Sequence, residues 1–371
     1  MADVVRTSIG VRDGKVAAIS PDLGAEDADE VVDGGGRLAF PGVVDAHQHR
    51  GIYNELGADV ASESRACAQG GVTTALTYMR TGQHYLNKGG DYATFFPEVL
   101  ETGRGRAHVD YGFHLAPMMR GHVEEIPELV EAFGVPSFKV FMFYGSHGLR
   151  GKSKDQSSFL MIPEGERYDY AHFEFVMRGI QAARERFPEL ADFRTAHGLG
   201  GKVNPPLRDR DDVEALWEYV ADGTIDWVVS DHACCRDETK FGDPREDVFV
   251  AESGFGGTEY LPAGLVTGGL RRGLPMHRVA ELVSANPARR CGLRTKGDLD
   301  VGYDADIALV DPDHPWVVRA EDSESTQEYT PFEGFELTAR VTDTFLRGRR
   351  ILQDGEVVGE PAGRYLSRPT T

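Results

Sequence analysis

Pro41-Gly-Val-Val-Asp-Ala-His-Gln-His49 is the stretch on which the reading of this chain turns. Leu38, Ala39, Phe40, Val43 and Val44 make a continuous apolar run bounded by glycine and proline, the pattern of a strand covered on both faces. Residues i and i+2 of a strand project to one side, so His47 and His49 point the same way. Two imidazoles at the C-terminal end of a buried strand can share one divalent metal. Taken alone, the pair reads as well as a polar strand end, because any two histidines can fall at that spacing. What surrounds it in the chain decides between the two.

At 371 residues the chain exceeds the size at which one hydrophobic core usually stops growing, so a large domain with a smaller one is expected. A (β/α)8 barrel of roughly 250 residues would leave about 120 for the rest. Hydrophobic content of 40% and charged content of 27% are those of an ordinary soluble globular protein. Forty Lys+Arg against 60 Asp+Glu give a formal net charge of −20, which argues against nucleic acid or anionic membrane as partners of a general basic surface. The four cysteines (Cys67, Cys234, Cys235, Cys291) show no framework spacing, as suits a reducing compartment. The first residues lack the apolar core of a signal peptide and no run approaches the ~18 apolar residues of a membrane span, so a cytoplasmic protein is expected.

Val11-Arg-Asp-Gly-Lys-Val16 sets Asp13-Gly14 between extended segments, a hairpin signal that Asp354-Gly355 repeats near the other end. Asp304–Asp311 reads as a further strand. The two chain ends, 1–40 and 295–371, are therefore expected to form one small β-sandwich domain with residues 41–294 inserted between them. That middle alternates strands (71–77, 109–115, 136–142, 225–230) with helices (62–69, 124–133, 170–187, one N-capped by Asp211, and one starting at Pro275). Alternation of this kind means a parallel sheet with helices outside it, and the length favours a closed α/β barrel. Function in such a barrel gathers at the C-terminal ends of the strands, where His49 lies.

Lys139 interrupts an otherwise apolar strand, Phe138-Lys-Val-Phe-Met142. An interior lysine is expensive unless it is paired or chemically changed; its bland reading is a snorkelling side chain at a strand end. Asp231 likewise reads as a cap or loop residue when taken by itself. His47, His49, Lys139 and Asp231 are all expected at strand ends, and so at one barrel mouth, although His49 and Lys139 are 90 residues apart and Lys139 and Asp231 are 92 apart.

With that set in place the sequence resembles the cyclic amidohydrolases of the amidohydrolase superfamily: dihydropyrimidinase/hydantoinase, allantoinase and dihydroorotase. The resemblance rests on Pro41–His49, Gly70-Gly-Val-Thr-Thr74, Ser137-Phe-Lys-Val-Phe-Met-Phe-Tyr144, Val203-Asn-Pro-Pro-Leu-Arg208, Ser230-Asp-His232, Ser284-Ala-Asn-Pro-Ala288 and Lys296–Asp306, spread over nearly the whole chain. It implies two Zn2+ ions per subunit, with His47, His49 and Asp231 among the ligands and Lys139, carboxylated, bridging the pair. It implies metal-bound hydroxide attacking the carbonyl of a cyclic amide or ureide, Asp231 as general base and then acid, and Tyr144 donating to the developing oxyanion. Ser253 and Asn286 match positions that hold the substrate through main-chain groups. Relatives of this kind form homodimers or homotetramers, and the same is expected here.

The pattern breaks at one place. The family's two further histidine motifs, which complete the second metal site, are absent between Lys139 and Asn204. Of His147, His172 and His197, only His197 is placed to stand in as a ligand. At about 31 residues per βα unit, strand four to strand eight needs about 125 residues. This chain spends 92, so an incomplete barrel, or a stretch missing near Ala191–Ala196, is expected. The alternative function is a non-catalytic dihydropyrimidinase-like binding or assembly protein that has lost metal ligands.

Overall fold

Turn chemistry starts the fold. Asp13 and Gly14 both take left-handed backbone, φ 51° and 75°, and join β1 (Ser8–Arg12) to β2 (Lys15–Ser20) with Arg12 opposite Lys15. This is the two-residue turn that suits the twist of paired strands. The computed structural model describes residues 4–81, 86, 88–117, 120–139, 198–203, 210–241 and 251–368.

A short strand β3 (Leu38–Pro41) hands over through Gly42 to β4 (Val43–His49). Helix α1 (Leu56–Gln69) begins where the Glu55 carboxylate accepts the amides of Gly57 and Ala58 at 2.9 and 2.7 Å, and returns the chain to β5 (Val72–Met79). The turn between them admits only glycine: a Cβ at Gly70 would stand 2.5 Å from the Thr258 carbonyl, and Gly71 has φ 76°. Helix α2 (Tyr92–Gly103) leads to β6 (Asp110–Leu115). Strands β4, β5 and β6 are parallel, with His49 opposite Tyr78 and Tyr78 opposite His114. Every residue of β5 is buried, as befits a parallel strand covered on both faces.

Two short helices, α3 (Arg120–Glu124) and α4 (Ile126–Phe133), follow, and Gly134 at φ 63° ends the second. The single helix expected over 124–133 therefore starts earlier and breaks at Glu125, whose carboxylate instead accepts the amides of Tyr92 and Ala93. Phe138 then bridges to Leu115 in parallel sense, extending the sheet beyond β6. The remainder of the strand expected over 136–142 and the helix expected over 170–187 fall outside the described residues.

Helix α5 (Arg210–Asp222) contains Asp211 in its first turn rather than ahead of it, and Gly223 at φ 88° closes it. Its buried stripe is narrower than the sequence suggests. Trp217 packs where a Cβ on Gly268 would meet its ring at 2.5 Å, and Val220 is buried beside it, while Val213 and Leu216 stay exposed. The strand expected over 225–230 is reduced to β7 (His232–Ala233). Backbone donors ahead of it are used elsewhere: Val228 N–H bonds Leu282 O at 3.0 Å, and Ile225 N–H bonds Tyr219 O at 3.0 Å. Strand β7 pairs in parallel with the free side of β4, so the first strand of this sheet has the last as its other neighbour, in the order β6-β5-β4-β7.

The C-terminal part builds a second, antiparallel sheet. Strands β8 (Ile307–Asp311), β11 (Arg340–Leu346), β12 (Arg349–Gln353) and β13 (Glu356–Val357) take β3 as fifth member in the order β13-β12-β11-β8-β3. The small pair β9 (Trp316–Val317) and β10 (Glu336–Leu337) stands apart. Residues from both ends of the chain thus share one sheet. One apolar cluster, including Phe40, Val43, Val72, Leu282, Val310 and Val341, runs across both sheets. At their junction the buried Lys296 ammonium lies 2.6 Å from Asp110, 2.7 Å from Asp306 and 3.1 Å from Asp304. Burial alone would lower its pKa, but the three carboxylates hold it up at about 12. No helix among the described residues is long and apolar enough to cross a membrane, and Cys67, Cys234, Cys235 and Cys291 are all free thiols.

Candidate metal centre

Strand β4 ends with His47 and His49 side by side, ring centroids 5.1 Å apart. Asp231, just ahead of β7, brings one carboxylate oxygen to 3.3 Å from His47 Nε2 and 3.1 Å from His49 Nε2. Lys139 enters from the far side of the sheet: its amide bonds Leu115 O at 2.9 Å, and its Nζ lies 2.9 Å from His47 Nε2 and 5.2 Å from the Tyr78 ring centre. The four residues that the sequence scatters over 185 positions therefore meet at the C-terminal edge of the parallel sheet, as expected. The cluster opens on the Asp231 side, whose side chain is 49% exposed against 14% for His49.

Electrostatics favour the forms that bind cations. Burial, then the neighbouring charges of His49 and Lys139, push His47 down to about 3, so its imidazole is neutral. Burial opposes ionisation of Asp231, but the hydrogen bond from His49 and the surrounding positive charge outweigh it and lower its pKa. Burial lowers the Lys139 pKa, against the pull of Asp231. His114, reduced by burial to about 4, bridges Ala46 O at 2.9 Å and Ser137 Oγ at 2.7 Å.

Behind the cluster lies a buried polar layer. Asp45 accepts from Gln48 Nε2 at 2.7 Å, Thr258 Oγ1 at 3.0 Å, Ser230 N at 3.1 Å and the Ser230 hydroxyl. His232 is fully buried and turns away from the mouth. Its Nδ1 accepts from the amides of Gly257 and Thr258 at 3.0 and 3.3 Å, which leaves the proton on Nε2 to donate to Glu63 at 2.7 Å. Burial would raise the Glu63 pKa, but His232, Ser325 and Ser62 hold it at about 2.

The other expected residues divide. Ser253 lies beside the end of β7, since Phe255 O accepts from Ala233 N at 3.1 Å and Tyr53 donates its hydroxyl to Ser253 O. Asn286 is not at this end. Its amide is spent on Asp226 O at 2.7 Å and on Arg289, and it lines a cavity with Pro41, the last residue of β3. Pro41 and His47 are six positions apart along extended backbone, roughly 20 Å. Tyr144 and His197 fall outside the described residues. Arg50 is buried and donates to Gln48 rather than towards the opening. Sequence reasoning missed Tyr78, Asp45 and Glu63. A polar tip at the end of an apolar strand was the available signal for Tyr78, and nothing local marks the other two.

Among the described residues two groups of side chains bring metal-capable atoms within 4.8 Å of one another: His47, His49 and Asp231; and Asp59, Glu63 and Cys234. The second is already engaged, Asp59 by Gly51 N and Asn54, and Glu63 by His232, Ser325 and Thr326. Only the first combines two imidazoles and a carboxylate with access to solvent, the donor set a divalent ion takes.

A parallel sheet thus brings two histidines, a lysine and an aspartate to one edge, a set whose donors suit a divalent cation. The model described as the amidohydrolase family matches residues 172–351. An allantoinase of Rubrobacter xylanophilus is 33% identical, over 96% of this chain and 93% of the relative. A D-hydantoinase of Ralstonia pickettii is 26% identical over 98% and 96%. The crystal structure of a dihydropyrimidinase from Brevibacillus agri superposes with a TM-score of 0.79 at 24% identity, covering 98% of this chain and 95% of that one. This chain belongs to the amidohydrolase family and is a hydrolase. The alignment with the allantoinase runs over 434 positions, whereas 96% of 371 residues is about 356, so about 78 positions have no counterpart here. The shortfall inferred from the Lys139–Asp231 spacing has the same sign.

Proposed function

We propose that this protein opens a cyclic amide or ureide of the hydantoin, dihydropyrimidine or allantoin type by metal-assisted hydrolysis. The observation that carries the reading is the meeting of His47, His49, Lys139 and Asp231 at one edge of the parallel sheet. The pairing of β4 with both β5 and β7 supports a (β/α)8-type barrel over residues 41–294, shortened within its second half. The sheet shared by β3, β8, β11, β12 and β13 supports a separate β domain from 1–40 and 295–371.

His47, His49 and Asp231 would hold a divalent ion, and Lys139, its amine carboxylated by carbon dioxide with release of a proton, would supply anionic oxygen donors beside them. Zn2+ suits the imidazole and carboxylate donors. A divalent metal in that place supplies Lewis acidity and brings the pKa of water towards neutrality. Asp231 accepts the proton of the attacking water and returns it to the departing ring nitrogen. Its half-exposed carboxylate, held ionised, is disposed for both steps. Tyr144 donates to the carbonyl oxygen as charge develops, and the main chain at Ser253 orients the ring.

Elemental analysis of the purified protein, with ring-opening assays on hydantoin, dihydrouracil and allantoin, tests the reading. Zinc near two equivalents with turnover of one ring is expected. One equivalent with turnover would reduce the centre to His47, His49 and Asp231. Protein that takes up no metal and opens none of the rings would overturn the proposal.

A further inference from the structure

Asp231 is one of five described non-glycine residues with positive φ, at 51°. Such a backbone persists only where its surroundings over-determine it. The residues on either side of it are tied to a single group. Asp45 Oδ1 accepts from Ser230 N at 3.1 Å, and Oδ2 accepts from the Ser230 hydroxyl. Ser230 Oγ in turn accepts from His232 N at 3.1 Å. Strand β4 slips register between Asp45 and Gln48, and the slip brings both side chains together in the buried layer beneath the histidines it carries. Asp45 is fully buried and receives four donors. Only a carboxylate can accept all four, since an amide would turn two of its hydrogens towards donors.

We propose that Asp45 is the positioning residue for Asp231. It fixes the left-handed turn that aims the Asp231 carboxylate at His47 and His49, so one strand supplies both the imidazoles and the brace for their partner. The inference rests on the metal-centre reading above and adds a residue outside the ligand set. Thr258 provides the comparison, because its hydroxyl takes the same carboxylate at 3.0 Å but leads away from Asp231.

The experiment titrates Zn2+ into metal-stripped wild type, Asp45→Asn, Ser230→Ala and Thr258→Val against a chelating dye, with kcat and KM on the ring that wild type opens. Loss of a residue that orients a metal ligand typically weakens affinity or activity by about 10–100-fold. Asp45→Asn and Ser230→Ala are expected to show that loss in zinc affinity and kcat, with KM within about twofold; Thr258→Val is expected to stay within about threefold on every count. Should Asp45→Asn fail to fold, Ser230→Ala decides alone. A zinc-binding wild type whose Ser230→Ala variant keeps its affinity and kcat overturns this inference only. So does a Thr258→Val variant that falls as far as Ser230→Ala, because the layer would then be merely structural. A wild type that takes up no zinc removes the metal-centre reading and this inference with it.

Discussion

Replacing Lys296 by methionine removes the one ammonium that Asp110, Asp304 and Asp306 share at the junction of the two sheets. Methionine keeps the volume and the apolar stem, so the change is almost purely one of charge. Breaking a buried ion pair by deleting one partner costs about 3–5 kcal/mol, since the other charge stays buried and uncompensated. Arg347 still pairs with Asp110 and Lys15 with Asp304, whereas Asp306 keeps no other cation among the described residues, which holds the expectation within that range. Unfolding entropy of about 2.1 cal/mol/K per residue gives about 0.8 kcal/mol/K for a chain of this length, so Tm should fall by about 4–6 °C. The pH dependence has a definite sign. The Lys296 pKa rises from 10.5 to about 12 on folding, and that gap is worth about 2 kcal/mol. A cation raised in this way contributes fully below 10.5 and loses its contribution as pH climbs through 12. Thermal melts of both proteins at pH 7, 9 and 11.5 should show a constant difference at the first two and a smaller one at the last. A variant melting within about 1 °C of wild type at pH 7, or a gap that closes below pH 9, would refute the reasoning.

Three further outcomes are expected. Asp231→Asn should cost about 10²–10⁴-fold in kcat, the usual worth of a general acid–base, and should weaken zinc as well; a variant of undiminished kcat would remove Asp231 from the mechanism. Lys139→Ala should lower zinc from two equivalents to one at most and abolish ring opening, and full metal content by elemental analysis would contradict the bridging role. Gly363→Ala would place a Cβ 1.9 Å from the Val109 carbonyl oxygen, where the C-terminal tail crosses β6. Overpacking of that kind costs about 1–3 kcal/mol, readable as a lowered urea midpoint. Gly34→Ala, with open space around it, should leave the midpoint unchanged.

Local rules carried far in this chain. Asp13-Gly14 and Asp354-Gly355 take the left-handed φ values that their turns require, and each sits between paired strands as its dipeptide implies. The alternation of a strand turned His47 and His49 to one side, and the cost of an interior lysine singled out Lys139. Each of these follows from chemistry within a few residues, which is why a sequence can display it.

The remainder depended on which distant groups packing brings together. Asn286, expected to hold the substrate, lies at the opposite end of β4 from the histidines, just after Ser284, whose hydroxyl donates to Pro41 O at 3.0 Å. His232 adjoins Asp231 in sequence and faces the other way, since the buried Glu63 claims its Nε2. The strand expected before Asp231 gave its backbone bonds to other partners, and Asp45 found Ser230 across 185 residues. The residue types, turns and strand faces were determined by the sequence itself, through sterics and hydrogen bonding over a few bonds. Which carboxylate Ser230 meets, and which end of the parallel sheet each polar side chain reaches, was decided by the tertiary structure alone, because buried polar groups must find partners wherever the packed core leaves them.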